Sequence, residues 1–306
     1  MLSPCAIAQA APDGQDGTLI SLTHIGHSGT VDVLKVIYWS DGLRVRGKLF
    51  WPTGKKFPPA PDGESAATNV SSLPAIIFNH DGVSGISRWT SIRAAELAGA
   101  GYAVLAPSFR GEDGSEGTIE VAHGEVDDVL NAARLVGAMR GVDGHRVAAI
   151  GMSHGALISV LAAERSGMFR CVVAAYGVMD IFRWWTYLKS QGFSTDDAIS
   201  LRVYGHGPSD RPAAFHVRNA VEHLNTLNVP LLLLQGTIDK TVPPQQATLM
   251  EEACKKLSKR CELHLYPGAQ HGFLIYGGSE ANDPAAEVAG QRAAWHDMLA
   301  FLKHWL

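Results

Sequence analysis

The sequence lacks most of the features that would commit it to a metal, a nucleic acid or a membrane. Only four cysteines occur in 306 residues, at Cys5, Cys171, Cys254 and Cys261, and none belongs to a C-x-x-C pair. A zinc ribbon or a thioredoxin-type motif is thereby excluded. Cys254 and Cys261 could form a disulfide if the helix and strand carrying them pack side by side; two free thiols are the plainer expectation. No apolar run approaches the ~18 residues of a membrane span. No basic cluster is longer than pairs such as Lys55-Lys56 and Lys255-Lys256, and 26 Lys+Arg against 30 Asp+Glu give a formal charge of −4. A nucleic-acid partner does not suit that balance. No repeat of fixed period is present.

What is present is an apolar content of 46% with 18% charged residues, enough to bury a large core. Residues 1–16 read as an N-terminal tail or signal-peptide remnant. Met1 to Ala11 is short and apolar, lacks a positive start and contains Ala8-Gln9-Ala10, an A-x-A-like cleavage pattern. A secreted or periplasmic location follows from the signal-peptide reading, a cytoplasmic one from the tail. Residues 17–306 are expected to form a single domain, with residues 12–30 starting outside the core.

Val31 to Tyr38 and Arg44 to Trp51 alternate around the turn Ser40-Asp41-Gly42, an antiparallel hairpin expected at a sheet edge. Pro52 to Ser72 is a long polar loop. From Pro74 onward, short apolar runs alternate with helical stretches. The runs are Ala75–Phe78, Tyr102–Ala106, Arg146–Ile150, Cys171–Ala175, Pro230–Leu234 and Glu262–Tyr266. The helical stretches are Ser87–Ala100, Ile119–Arg140 (with Val121, Val129, Ala132, Ala133 and Val136 inward), His154–Arg165, Gln245–Leu257 and Val288–Leu306. This rhythm predicts the α/β class: a mostly parallel central sheet of about eight strands with helices on both faces. Residues 176–228 break the rhythm and are expected to form a small cap-like insertion.

Gly151-Met152-Ser153-His154-Gly155 is the one G-x-S-x-G in the chain. Among 32 glycines the pentapeptide alone says little. Here it follows a buried strand and opens a helix, the context of a nucleophile elbow, where a sharp turn exposes the serine at a helix N-terminus. Ser153 is therefore the candidate nucleophile; a helix N-cap serine is the alternative. A serine needs a neighbouring base. Of 13 histidines, His24, His27, His206, His216, His223 and His304 fall in expected loops or on helix surfaces. His271 follows a late strand, in the Ser, Asp, His order of such sheets. Asp239 occupies the corresponding loop one strand earlier and is the candidate to orient it. Asp180 is its rival. The backbone N–H groups of His154 and Gly82 are the candidate oxyanion donors, with Asp81 as alternative to Gly82 and Arg110 as a candidate partner for the Asp81 carboxylate. Trp184 and Trp185, with Phe182 and Tyr187, either line a substrate pocket or bury the insertion.

From about Val31 onward the chain resembles the catalytic domain of the prolyl oligopeptidase family and the related dienelactone hydrolase-like esterases of the α/β-hydrolase superfamily. The matching pieces are Asp41-Gly42 with Gly47, Ser108-Phe109-Arg110-Gly111, Gly151 to Gly155, Pro230 to Val242 with Gly236 and Asp239, and Tyr266-Pro267-Gly268 through His271-Gly272-Phe273. The resemblance implies an α/β-hydrolase fold and the triad Ser153, Asp239 and His271. Three departures point away from peptides. There is no room for a propeller, Ala156 stands where the elbow usually has a further Gly, and the His-Gly-Gly stretch reads His80-Asp81-Gly82. Dienelactone hydrolases proper use cysteine, whereas Arg110-Gly111 is similar to acetyl xylan esterases. The expectation is a carboxylesterase-type serine hydrolase acting on esters of small or medium acyl groups, with no metal or organic cofactor. An aminopeptidase or acylaminoacyl peptidase, an acetyl esterase and a non-catalytic binding protein are the alternatives. The expected partner is a small-molecule ester, with neither nucleic acid nor a membrane span; homo-oligomers are left open.

Overall fold

A computed structural model describes residues 15–53, 72–278 and 283–306. The A-x-A pattern near the N-terminus and most of the polar loop after Pro52 lie outside these residues. One nine-stranded sheet organises the chain, in the order β1-β2-β3-β5-β4-β6-β7-β8-β9. β1 (Leu19–Ser28), β2 (Val31–Ser40) and β3 (Leu43–Pro52) run antiparallel, and β3 joins β5 (Ala103–Pro107) antiparallel. β4 (Leu73–Asn79), β5, β6 (Val142–Met152), β7 (Cys171–Ala175), β8 (Leu231–Gly236) and β9 (Cys261–Tyr266) are parallel.

β5, β7 and most of β4 and β8 are short and apolar because both faces are covered, whereas β9 at the far edge is half-buried and carries Glu262 and His264. On one face α2 (Gly124–Ala138) and α3 (His154–Arg165) pack against Leu34, Leu49, Ile77, Leu105, Val147 and Val172. On the other, α1 (Arg88–Gly99) and α10 (Ala285–Trp305) cover Ile76, Phe78, Val104, Ile150 and Leu234. Two independent cores result, one per layer.

The sequence reading needs correction at two places. The β2–β3 hairpin is not the edge of the sheet, because β1 lies outside it. β1 escapes a period-two reading because its register slips twice and none of its residues is fully buried. The second helix begins at Gly124, five residues later than its apolar pattern suggests. The buried Glu125 carboxylate accepts the N–H groups of Glu120 (2.6 Å), Val121 (2.9 Å) and His123 (3.1 Å). Those bonds fasten the preceding residues into a loop, with Val121 and Ala122 at positive φ. The nine strands of the described residues agree with the expected, mostly parallel sheet of about eight.

Residues 176–228 contain α4 (Ile181–Ser190), α5 (Ala198–Tyr204), α6 (Pro212–His216) and α7 (Ala220–His223). They share a small apolar cluster of Val178, Ile181, Trp185, Tyr204 and Phe215, joined by Val242. α8 (Gln245–Lys256) lies beside β9, and the thiols of Cys254 and Cys261 are free.

Candidate active site

The chain enters the middle of the sheet at β4, steps to β5 on one side, then crosses through α2 to β6 on the other. Beyond the C-terminal ends of β4 and β6 the connections diverge, leaving the crevice at which open α/β sheets bind ligands. The register pairs Asn79 with Gly151, so the loop His80-Asp81-Gly82 and the serine turn face each other one strand spacing apart.

Ser153 stands on that turn with φ 53° and ψ −114°, outside the regions a side-chain-bearing residue prefers. Holding such a conformation costs on the order of 1–3 kcal/mol, and the surrounding contacts hold it. The Ser153 N–H donates to Ala175 O at 2.9 Å. A Cβ at Gly151 would lie 2.0 Å from Gly155 O, and one at Gly155 would lie 2.3 Å from Asn79 O. Strand, turn and helix therefore approach more closely than any residue but glycine permits.

His271 follows β9 and Asp239 follows β8, both at the same sheet end as Ser153. His271 Nε2 is 2.9 Å from Ser153 Oγ, and His271 Nδ1 is 2.8 Å from Asp239 Oδ2. Asp239 is buried. Its Oδ1 accepts the N–H groups of Thr241 (2.9 Å) and Val242 (2.8 Å), and its Oδ2 also accepts from Gln235 Nε2 at 3.2 Å. Each carboxylate oxygen thus has backbone or side-chain donors besides the imidazole, which fixes the plane of the group. Tyr176 packs edge-on against the His271 ring at 4.9 Å. The rival Asp180 is elsewhere employed: it caps α4 through the Arg183 N–H and pairs with the Arg183 guanidinium.

The loop after β4 is fastened by groups that sequence reasoning did not assign. His154 Nδ1 donates to Gly82 O at 2.9 Å, tying the first helical residue after Ser153 to the loop. Gly82 has φ +64°, which is where its lack of a side chain matters. The buried His80 donates Nδ1–H to Asp81 O at 2.9 Å, and burial pushes its pKa down to about 4, so the ring is neutral. Its Nε2 lies 3.4 Å from Glu112 Oε2, which accepts the Gly85 N–H. Burial pushes Glu112 up to about 8. The Asp81 carboxylate accepts from Tyr276 Oη at 2.9 Å. Arg110, the expected partner of Asp81, instead binds the buried Asp128 in a fork and reaches Asp41 at 2.7 Å. Arg110 lies three residues beyond β5 and meets the buried carboxylate of Asp128 on α2.

Among the aromatic residues of the insertion, Trp185 is buried between Tyr204 (5.6 Å) and Phe215 (5.2 Å). That packing places Trp185 in the apolar cluster of the insertion. Trp184 is half-buried and donates Nε1–H to Thr241 O at 3.0 Å, while Tyr187 Oη donates to Lys240 O at 2.8 Å. Both bonds land on the loop that carries Asp239.

A hydroxyl, an imidazole and a carboxylate aligned in this order can pass a proton from the hydroxyl to the ring while the carboxylate compensates the charge. Comparisons with known proteins agree with a hydrolase. The chain is 29% identical over 244 residues to a Bacillus subtilis protein described as "Uncharacterized peptidase YtmA", covering 79% of this chain and 87% of that one. Its fold is similar to an acylaminoacyl peptidase of Pyrococcus horikoshii, with a TM-score of 0.71 and 17% identity over 90% of this chain and 42% of the other. An acetyl xylan esterase from a Paenibacillus species superposes at a TM-score of 0.68 and 16% identity, over 93% and 88% of the two chains. The chain thus spans most of the bacterial relative and the esterase but less than half of the archaeal peptidase. The profile of the prolyl oligopeptidase family matches residues 88–306, every one of the strands and loops that carry the serine, the acid and the histidine. On that match the chain belongs to the prolyl oligopeptidase family, and it is a serine hydrolase of the α/β-hydrolase fold.

Proposed function

We propose that the protein is a carboxylesterase that cleaves esters of small or medium acyl groups through an acyl-enzyme, with Ser153 as nucleophile, His271 as base and Asp239 as the acid that orients it. The observation that carries this reading is the pair of hydrogen bonds through His271, at 2.9 Å to Ser153 Oγ and 2.8 Å to Asp239 Oδ2. His271 Nε2 takes the Ser153 proton as Oγ attacks the ester carbonyl. The carbonyl oxygen becomes an oxyanion and rests on the backbone N–H groups of His154 and Gly82, the first of them at the N-terminus of α3. His271 returns the proton to the leaving alcohol. Water then attacks the acyl-enzyme by the same route, leaving the acid and free Ser153. The serine, histidine and oxyanion donors perform these steps without a metal or organic cofactor. Trp184 borders the acyl or alcohol pocket, with residues 176–228 as the cap. Ser153, Asp239 and His271 belong to one domain over residues 17–306, and a small-molecule ester is its partner.

A peptidase reading has in its favour the bacterial relative described as a peptidase and the match to the prolyl oligopeptidase family. Hydrolysis of p-nitrophenyl acetate, butyrate and octanoate, with alanine p-nitroanilide and acetyl-alanine p-nitroanilide alongside and Ser153→Ala as control, separates the two. Turnover of esters but not anilides, abolished in the variant, supports the esterase. Cleavage of either anilide at comparable rate moves the reading to an aminopeptidase or an acylaminoacyl peptidase. Equal background from both proteins means that the triad or the choice of substrate class is wrong.

A further inference from the structure

β1 carries two histidines that the hydrolase chemistry does not use. Side chains three residues apart on a regular strand point to opposite faces. His24 and His27 would therefore be separated by the sheet. The register of β1 against β2 slips between His24 and Gly26, so that His24 faces Leu34, Gly26 faces Val33 and His27 faces Asp32. Ile25 is the extra residue of this bulge, and it is turned out to solvent. The bulge restores parity: both imidazoles emerge on the face that carries Asp32.

The three groups then converge. Asp32 Oδ1 lies 3.2 Å from His24 Nε2 and 2.9 Å from His27 Nδ1. One ligand atom from each residue lies within 4.8 Å of the other two. The imidazole rings are tilted 58° with centroids 4.7 Å apart, so they do not stack face to face. In a tetrahedral zinc site with bonds of ~2.1 Å, neighbouring ligand atoms are about 3.4 Å apart. The cluster is within small side-chain rotations of that arrangement. Both rings are exposed and Asp32 is half-buried, so the fourth position opens to water. Two imidazoles and one carboxylate suit zinc and its borderline neighbours; magnesium and calcium prefer all-oxygen shells.

We propose that His24, His27 and Asp32 form a binding site for a divalent transition-metal cation of the zinc class, cross-linking β1 to β2 at the open edge of the sheet. The site is remote in sequence from Ser153, Asp239 and His271 and does not depend on the esterase reading. Its effect is on the edge: β1 buries little apolar surface of its own, and a metal spanning the two strands holds it in register.

The test uses the full chain freed of metal by EDTA and titrated with zinc chloride, read by calorimetry and by melting temperature. One equivalent of zinc should bind, and the melting temperature should climb with free zinc as a ligand of the folded state requires. His24→Ala and His27→Ala should each weaken binding at least about tenfold, the loss that even an outer-shell substitution brings. His271→Ala should leave binding unchanged, which keeps the catalytic imidazole out of the result. Magnesium chloride at the same concentration should give no shift. Unchanged zinc affinity in both His24→Ala and His27→Ala, no saturable binding at all, or equal stabilisation by magnesium would overturn the proposal. Circular dichroism of the variants checks that the fold persists.

Discussion

Replacing Glu112 by Gln isolates the electrostatic cost of fastening the loop that faces Ser153. The Glu112 side chain is buried, accepts the Gly85 N–H and lies against a neutral His80. Burial raises its pKa to about 8, whereas a carboxyl in an unfolded chain titrates near ~4.3. Between those values the folded protein holds a proton that the unfolded chain has released. Stability is therefore fully present below the unfolded pKa and falls as pH rises through the window, by about 1.4 kcal/mol per pH unit. From near pH 5 to near pH 8 the loss comes to about 4 kcal/mol. Glutamine has the same shape, keeps an oxygen for the Gly85 N–H and does not titrate. With an unfolding entropy of ~2.1 cal/mol/K per residue, the melting temperature of Glu112→Gln relative to wild type should rise by about 6 °C between those two pH values. Differential scanning calorimetry in matched buffers reads this directly. Parallel curves, with the same difference at both ends, would refute the buried, proton-holding carboxyl.

Three further outcomes follow from the geometry. Asp239→Asn should lower kcat about 10⁴-fold with p-nitrophenyl butyrate, because an amide N–H facing His271 Nδ1 enforces the wrong tautomer; its melting temperature should stay close to wild type, since the Thr241 and Val242 N–H groups keep an oxygen acceptor. Gly151→Ala places a Cβ 2.0 Å from Gly155 O and should cost about 3 kcal/mol or prevent folding, as read by urea denaturation; a wild-type midpoint would show that the elbow relaxes. Trp184→Ala should change the acetate-to-octanoate preference more than it changes the melting temperature, and an unaltered preference would remove Trp184 from the pocket.

The parallel half of the sheet was legible because its strands are buried on both faces and bounded by clear turns. The Cys171–Ala175 strand and the His154–Arg165 helix coincide with their apolar runs to the residue. Ser153, Asp239 and His271 could be selected because each stands in the turn or loop that follows a strand, and the structure brings the three together. The failures share a cause: they depend on partners distant in sequence. β1 alternates poorly because bulges, not residue order, decide which side chains share a face. α2 starts late because the Glu125 side chain competes for the preceding backbone N–H groups. Arg110 was matched to the wrong aspartate because only the fold brings it to Asp128 on α2. The pairing of His80 with Glu112 spans 32 positions and is visible only once β4 and β5 lie side by side.

The placement of the three side chains at the ends of β6, β8 and β9 also bears on when the protein becomes chemically dangerous. Ser153 is synthesised long before His271, and the two meet only when β7, β8 and β9 have zipped onto β6 in parallel register. Parallel pairing closes long loops and is slow relative to local helix formation. On the proposed mechanism, a nascent or partly unfolded chain therefore carries its serine without its base. Reactivity is withheld until the last third of the molecule is in place, and it is surrendered as soon as the β8–β9 edge frays.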